Sequence, residues 1–68
     1  MKHEDTPRYI KEGEVSRITG LALQTLRNYR AKGIGPPYCK LGRAVRYPLT
    51  GTLSWIEGFR IQQQDQSG

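Results

Sequence analysis

Gln24, Arg27, Asn28 and Arg30 stand within a few residues of one another. These side-chain types can meet a base edge with two hydrogen bonds at once: arginine pairs with guanine, and asparagine or glutamine with adenine. A second group, Lys40, Arg43 and Arg46, surrounds Gly42. Cations at the tip of a short hairpin can enter a minor groove or hold a phosphate. Both groups also have a plainer reading. A polar outer face occurs on any solvated amphipathic helix, and basic residues guard exposed strand edges against aggregation.

The charge pattern favours the polyanion reading. Net charge is +5, and all six acids lie toward the ends: Glu4, Asp5, Glu12, Glu14, Glu57 and Asp65. No acid occurs from Val15 to Ile56, while Arg17, Arg27, Arg30, Lys32, Lys40, Arg43 and Arg46 all do. Carboxylates in such a region would repel phosphate, so their exclusion suits a nucleic-acid partner.

Catalysis finds no support. Cys39 has no histidine or carboxylate near it in sequence to activate it, and it reads as a small, half-buried strand residue. It is the only cysteine and His3 the only histidine, so neither an intrachain disulfide nor a four-ligand zinc site can form. No paired carboxylates, triad or phosphate-binding glycine loop is present. The expectation is a non-enzyme with no cofactor, no metal and no small-molecule ligand. No stretch is apolar for long enough to span a membrane, and the first residues lack an apolar signal core. The expected setting is cytoplasmic.

The elements that must position these side chains follow from periodicity and punctuation. With 68 residues there is room for one domain, and a core that small is marginal. Residues 1–8 are expected to be a flexible segment, 9–61 the folded domain and 62–68 a disordered polar tail. Val15 and Ile18 form a stripe on a first helix from Glu12 to Thr19, stopped by Gly20. A second helix runs from Leu23 to Lys32 and is ended by Gly33. Leu26 and Tyr29 face inward, while Gln24, Arg27, Asn28 and Arg30 project outward. Two short helices around a glycine-bearing turn have the layout of a helix-turn-helix, whose second helix lies in a DNA major groove.

Gly35-Pro36-Pro37 cannot continue a helix. Tyr38–Leu41 and Ala44–Tyr47 read as two strands, joined by Gly42-Arg43 in a type II′ turn. Counting residues 40, 42, 44 and 46 as one face puts Lys40 and Arg46 on the same side, with Arg43 at the tip. A third helix is expected from Thr50, as N-cap, to Ile61. Its Leu53, Ile56 and Phe59, broadened by Trp55, would supply much of the core. The predicted fold class is mainly α with a small β-hairpin: a winged helix-turn-helix with a two-stranded wing and a C-terminal helix.

The ordered set of elements resembles the excisionase/AlpA-type winged-helix family, which is related to the MerR DNA-binding domains. The resemblance covers Tyr9 to about Arg60. It rests on Tyr9-Ile10, a short helix ending in Gly20, Thr25-Leu26-Arg27, the Gly35–Tyr38 lead-in to the wing, and the Lys40-Leu41-Gly42 and Val45-Arg46-Tyr47 segments. Leu53, Trp55 and Ile56 in the last helix complete it. The resemblance implies helix contacts to double-stranded DNA from Gln24, Thr25, Arg27 and Asn28, and wing contacts from Lys40, Arg43 and Arg46. It implies a recombination directionality factor of a phage or mobile element, with an integrase and neighbouring copies on DNA as further partners. A small prophage transcriptional regulator is the alternative within DNA binding, and a basic module docking an integrase is the alternative outside it. Three positions depart from the family pattern. Ala22 stands where a serine or threonine often caps the second helix, Gly13 lies inside the first helix, and Thr19 replaces an apolar residue before Gly20.

Overall fold

The computed structural model describes residues 8–62. The expected flexible segment and polar tail lie outside these residues, apart from Arg8 and Gln62 at the two ends. The order of elements is β1 (Tyr9–Ile10), α1 (Glu12–Thr19), α2 (Leu23–Lys32), β2 (Cys39–Leu41), β3 (Ala44–Pro48) and α3 (Leu49–Glu57). Three helices and one antiparallel three-stranded sheet, in the order β1-β3-β2, make a small α+β fold.

The helices α1 and α2 run over the residues expected from hydrophobic spacing and the terminating glycines, and neither has a side-chain cap at its N-terminus. Gly20 and Gly33 close the two helices in left-handed conformation, at φ 80° and 75°. The turn between the helices is tied by hydroxyls. Ser16 Oγ donates to the Leu21 carbonyl at 2.7 Å, Thr19 Oγ1 donates to the Val15 carbonyl at 2.8 Å, and the Leu21 amide donates to Thr19 Oγ1 at 3.1 Å. Thr19 thus contributes two hydrogen bonds to the turn. Ala22 provides no side-chain cap for α2, and its backbone is extended, at φ −67° and ψ 152°.

The hairpin turn has Gly42 at φ 69°, and Arg43 does not adopt positive φ. Positive φ at the first central residue only is the requirement of a type II′ turn, and glycine meets it without steric cost. A third strand was not foreseen in the sequence. Tyr9 pairs with Pro48 and Ile10 with Tyr47, and the Leu49 amide donates to the Arg8 carbonyl at 2.8 Å. Two residues carry no alternation to detect, but the pairing turns Ile10 into the core and makes β3 the central strand.

The hairpin register corrects one expectation. Cys39 pairs with Arg46, Lys40 with Val45, and Leu41 with Ala44. Directly paired residues share a face, so Arg46 lies with Cys39 and Leu41, while Lys40 lies with Val45 on the opposite face. Counting 40 and 46 as one face ignored the two turn residues, which shift the alternation between strands. Cys39 is also exposed rather than half-buried, because β2 is an edge strand whose three residues all face solvent.

The third helix differs in start, end and role. It begins at Leu49 with Pro48 as N-cap and no side-chain cap, so Thr50 is not the cap, and it ends at Glu57 rather than Ile61. Leu49 packs against the core, which requires the helix to start there. Thr52 is fully buried, and its hydroxyl is satisfied by the Pro48 carbonyl at 3.0 Å. The inward stripe is therefore Leu49, Thr52 and half-buried Ile56, at i, i+3 and i+7. Leu53 and Phe59 turn away and are 45% and 65% exposed.

The core is Ile10, Val15, Leu26 and Tyr47, one side chain from each of β1, α1, α2 and β3. Ile18, Leu21, Val45 and Leu49 pack around it, half-buried. Thus α3 supports the core but does not supply most of it. Its Trp55 instead meets Tyr29 and Phe59 edge-on, with ring centroids 6.2 and 4.8 Å apart. Among the described residues no helix is long and apolar enough to cross a membrane.

Candidate nucleic-acid interface

The exposed face of α2 carries Gln24, Arg27 and Asn28, which helical spacing brings together. Gln24 Nε2 donates to Asn28 Oδ1 at 3.0 Å. This i, i+4 bond links the two exposed amides and leaves the Gln24 carbonyl and the Asn28 amino group without a side-chain partner among the described residues. Thr25 is half-buried at the edge of the same face.

Arg27 and Arg30 are not free cations. Glu12, at the start of α1, reaches across to α2 and accepts from both. Arg27 Nη2 donates to Glu12 Oε2 at 2.6 Å, with Arg27 Nε 3.4 Å from Oε1, and Arg30 Nη1 lies 3.3 Å from Oε1. The Arg27 hydrogen bond is the main cause holding the Glu12 carboxyl below the ordinary glutamate value. Partial burial opposes it, and the Arg30 bond and both positive charges reinforce it. Glu12 in turn raises the Arg27 guanidinium.

Arg30 departs from the expectation that it projects outward. Its side chain is 20% exposed, donates to the Tyr47 hydroxyl at 2.7 Å, and lies over the Tyr38 ring, 5.7 Å from the centroid. Burial disfavours its charge, but the bonds to Tyr47 and Glu12 outweigh burial, and the net shift is upward. Arg30 is a strut between helix, sheet and α1, because its position on α2 faces β3 rather than solvent.

Beside this face runs a groove of about 420 Å³ between the N-terminus of α1, α2 and the hairpin, lined by Lys11, Glu12, Arg30, Arg43, Ala44, Val45 and Arg46. Lys11, Arg43 and Arg46 have no carboxylate partner among the described residues. Arg46 Nη1 donates to the Val45 carbonyl at 2.8 Å, which folds the side chain along its own strand. Lys40 is exposed and does not line this groove, although its strand partner Val45 does. The groove thus sets Arg43 and Arg46 beside Glu12, which holds Arg27 on the exposed face of α2 that also carries Gln24 and Asn28, and Lys40 is not part of its lining.

Two members of this surface were missed in the sequence. Lys11 and Glu12 lie just outside the acid-free region, and only the packing of α1 on α2 and the sheet brings them beside the groove. No sequence signal pairs residues 12 and 27, because their separation reflects no helix or strand period. An apolar groove of about 490 Å³ occupies a separate site, between Leu21, Tyr29, Ile34, Trp55, Ile56 and Phe59. No group of three or more histidine, cysteine, aspartate or glutamate side chains is placed to hold a metal ion among the described residues. No family model, curated protein or solved structure matches the chain.

Proposed function

We propose that this chain is a sequence-specific DNA-binding module of the winged helix-turn-helix kind. In this reading α2 lies in the major groove, presenting Gln24, Arg27 and Asn28 to base edges with Thr25 at the margin. The β2–β3 hairpin is the wing, and Arg43 and Arg46, joined by Lys11, hold the adjacent backbone or minor groove. The observation that carries the reading is the adjacency of two chemistries. Side chains suited to base edges cover an exposed helix face, and beside them a groove holds three cations without carboxylate partners. One supplies discrimination and the other supplies affinity, as protein–DNA recognition requires.

Within that reading we assign the role of an excisionase-like recombination directionality factor, on the resemblance spanning Tyr9 to Arg60. A small prophage transcriptional regulator would use the same surface. The test is retention of random genomic fragments by the purified protein at two salt concentrations, followed by sequencing. Enriched fragments with repeated short sites beside an integrase gene support the directionality factor. Enrichment at a single promoter operator supports the regulator. Absence of any salt-sensitive retention overturns the DNA reading and favours a module that docks an acidic protein surface.

A further inference from the structure

An arginine guanidinium carries five N–H donors in a fixed planar fork. Glu12 occupies only one edge of the Arg27 fork, the edge formed by Nε and Nη2. Nη1 has no acceptor among the described residues, and the Arg27 side chain is 49% exposed. The Nη1–Nη2 end, which points away from the engaged edge, is therefore open, planar and bidentate. That end matches the paired acceptors of guanine, N7 and O6, in the major groove.

The other side of Glu12 is anchored. Arg30 contacts its carboxylate at 3.3 Å and is itself bonded at 2.7 Å to the hydroxyl of Tyr47, which is fully buried. A continuous chain thus runs from the core through Tyr47, Arg30 and Glu12 to Arg27. It fixes the orientation of a side chain that would otherwise sweep many rotamers and meet any phosphate within reach. The carboxylate also cancels much of the Arg27 charge and repels phosphate at short range, which weakens sequence-independent binding.

We infer that Glu12 is a specificity-determining positioning residue: it holds Arg27 with its open end toward a guanine edge and withholds that cation from the phosphate backbone. This rests on the DNA-binding reading and extends it to a residue that itself need not touch DNA.

The experiment compares wild type, Glu12→Gln, Arg27→Ala and the double variant. Each is titrated against its selected fragment and against a random duplex of equal length over a range of salt, with circular dichroism confirming the fold. Glu12→Gln should bind random duplex more tightly, with a salt slope steeper by about one unit because one more cation engages phosphate. Its ratio of specific to random affinity should fall by roughly tenfold, within the range of one bidentate base contact. In the Arg27→Ala background the same change should leave the ratio within about twofold, since the coupled partner is gone. Should Glu12→Gln fail to fold, Glu12→Asp tests the positioning alone: it keeps the negative charge but shortens the reach to both arginines, so the specificity ratio should fall in the wild-type background and not in the Arg27→Ala background. A folded variant with an unchanged ratio, or a loss equal in both backgrounds, overturns the inference and leaves the DNA reading standing. A wild-type protein that shows no salt-sensitive binding overturns the DNA reading itself.

Discussion

Arg30 donates from Nη1 to the hydroxyl of Tyr47 at 2.7 Å, and Tyr47 exposes no surface to solvent. A guanidinium of the second helix is thereby bonded to a residue of the central strand. The bond satisfies the one polar atom of the largest core side chain and stiffens the helix that carries Gln24, Arg27 and Asn28. Removing the hydroxyl with Tyr47→Phe preserves the ring and deletes the bond. A hydrogen bond to a charged group contributes about 1.5–3 kcal/mol. Urea unfolding should show a loss of that order, with little change in the slope against denaturant. A variant as stable as wild type would mean that water replaces the bond at no cost.

The folded protein holds Glu12 below its ordinary value of 4.5, chiefly through the Arg27 hydrogen bond. A carboxyl with a depressed folded pKa adds stability above its unfolded pKa and loses it as pH falls through the folded one. Thermal melts of wild type and Glu12→Gln should therefore differ most at neutral pH. The gap should narrow as the pH falls below about 4.5. A gap that is constant with pH would show that the network does not depend on the Glu12 charge.

Leu26 is fully buried at the junction of both helices and the sheet, whereas Ile56 is half-buried. Leu26→Ala should cost about 2–5 kcal/mol, as deletion of a fully buried leucine does. In a domain this small that loss approaches or exceeds the whole stability. Ile56→Ala should cost clearly less, although Leu26 and Ile56 carry similar apolar volume. Equal losses by denaturant titration would place α3 deeper in the core than its burial indicates.

The register of the hairpin separates two cations that look equivalent in the sequence. Arg43 and Arg46 line the groove beside α2, and Lys40 does not. If the groove side faces DNA, Arg43→Ala and Arg46→Ala should each flatten the salt dependence of binding by about one unit. Lys40→Ala should leave it nearly unchanged. A slope lowered equally by all three would mean that the bound DNA reaches beyond the groove to Lys40.

Much of the fold was legible along the chain. The limits of α1 and α2 and the site of the hairpin turn follow from local chemistry: apolar spacing within a helix, Gly20 and Gly33 at the helix ends, and Gly42 where positive φ is needed. The outer face of α2 was legible for Gln24, Arg27 and Asn28, which helical spacing groups, but not for Arg30, which turns in to Tyr47. In α3 the local signal misled. Threonine reads as polar, so the stripe through Thr52 was passed over for Leu53 and Phe59, which the structure exposes.

The sequence by itself therefore determined the elements whose stabilising interactions lie within a few residues, together with the acid-free region that points to a polyanion. Tertiary structure alone decided which charges remain available. Glu12 stands outside that region in sequence, yet packing of α1 against α2 sets it between Arg27 and Arg30. The same packing brings Lys11 to the hairpin, and strand pairing sends Lys40 and Arg46 to opposite faces. The physical reason is that electrostatic interactions depend on distance through space. Sequence spacing reports that distance only along a single helix or strand, and every one of these relationships crosses between two elements.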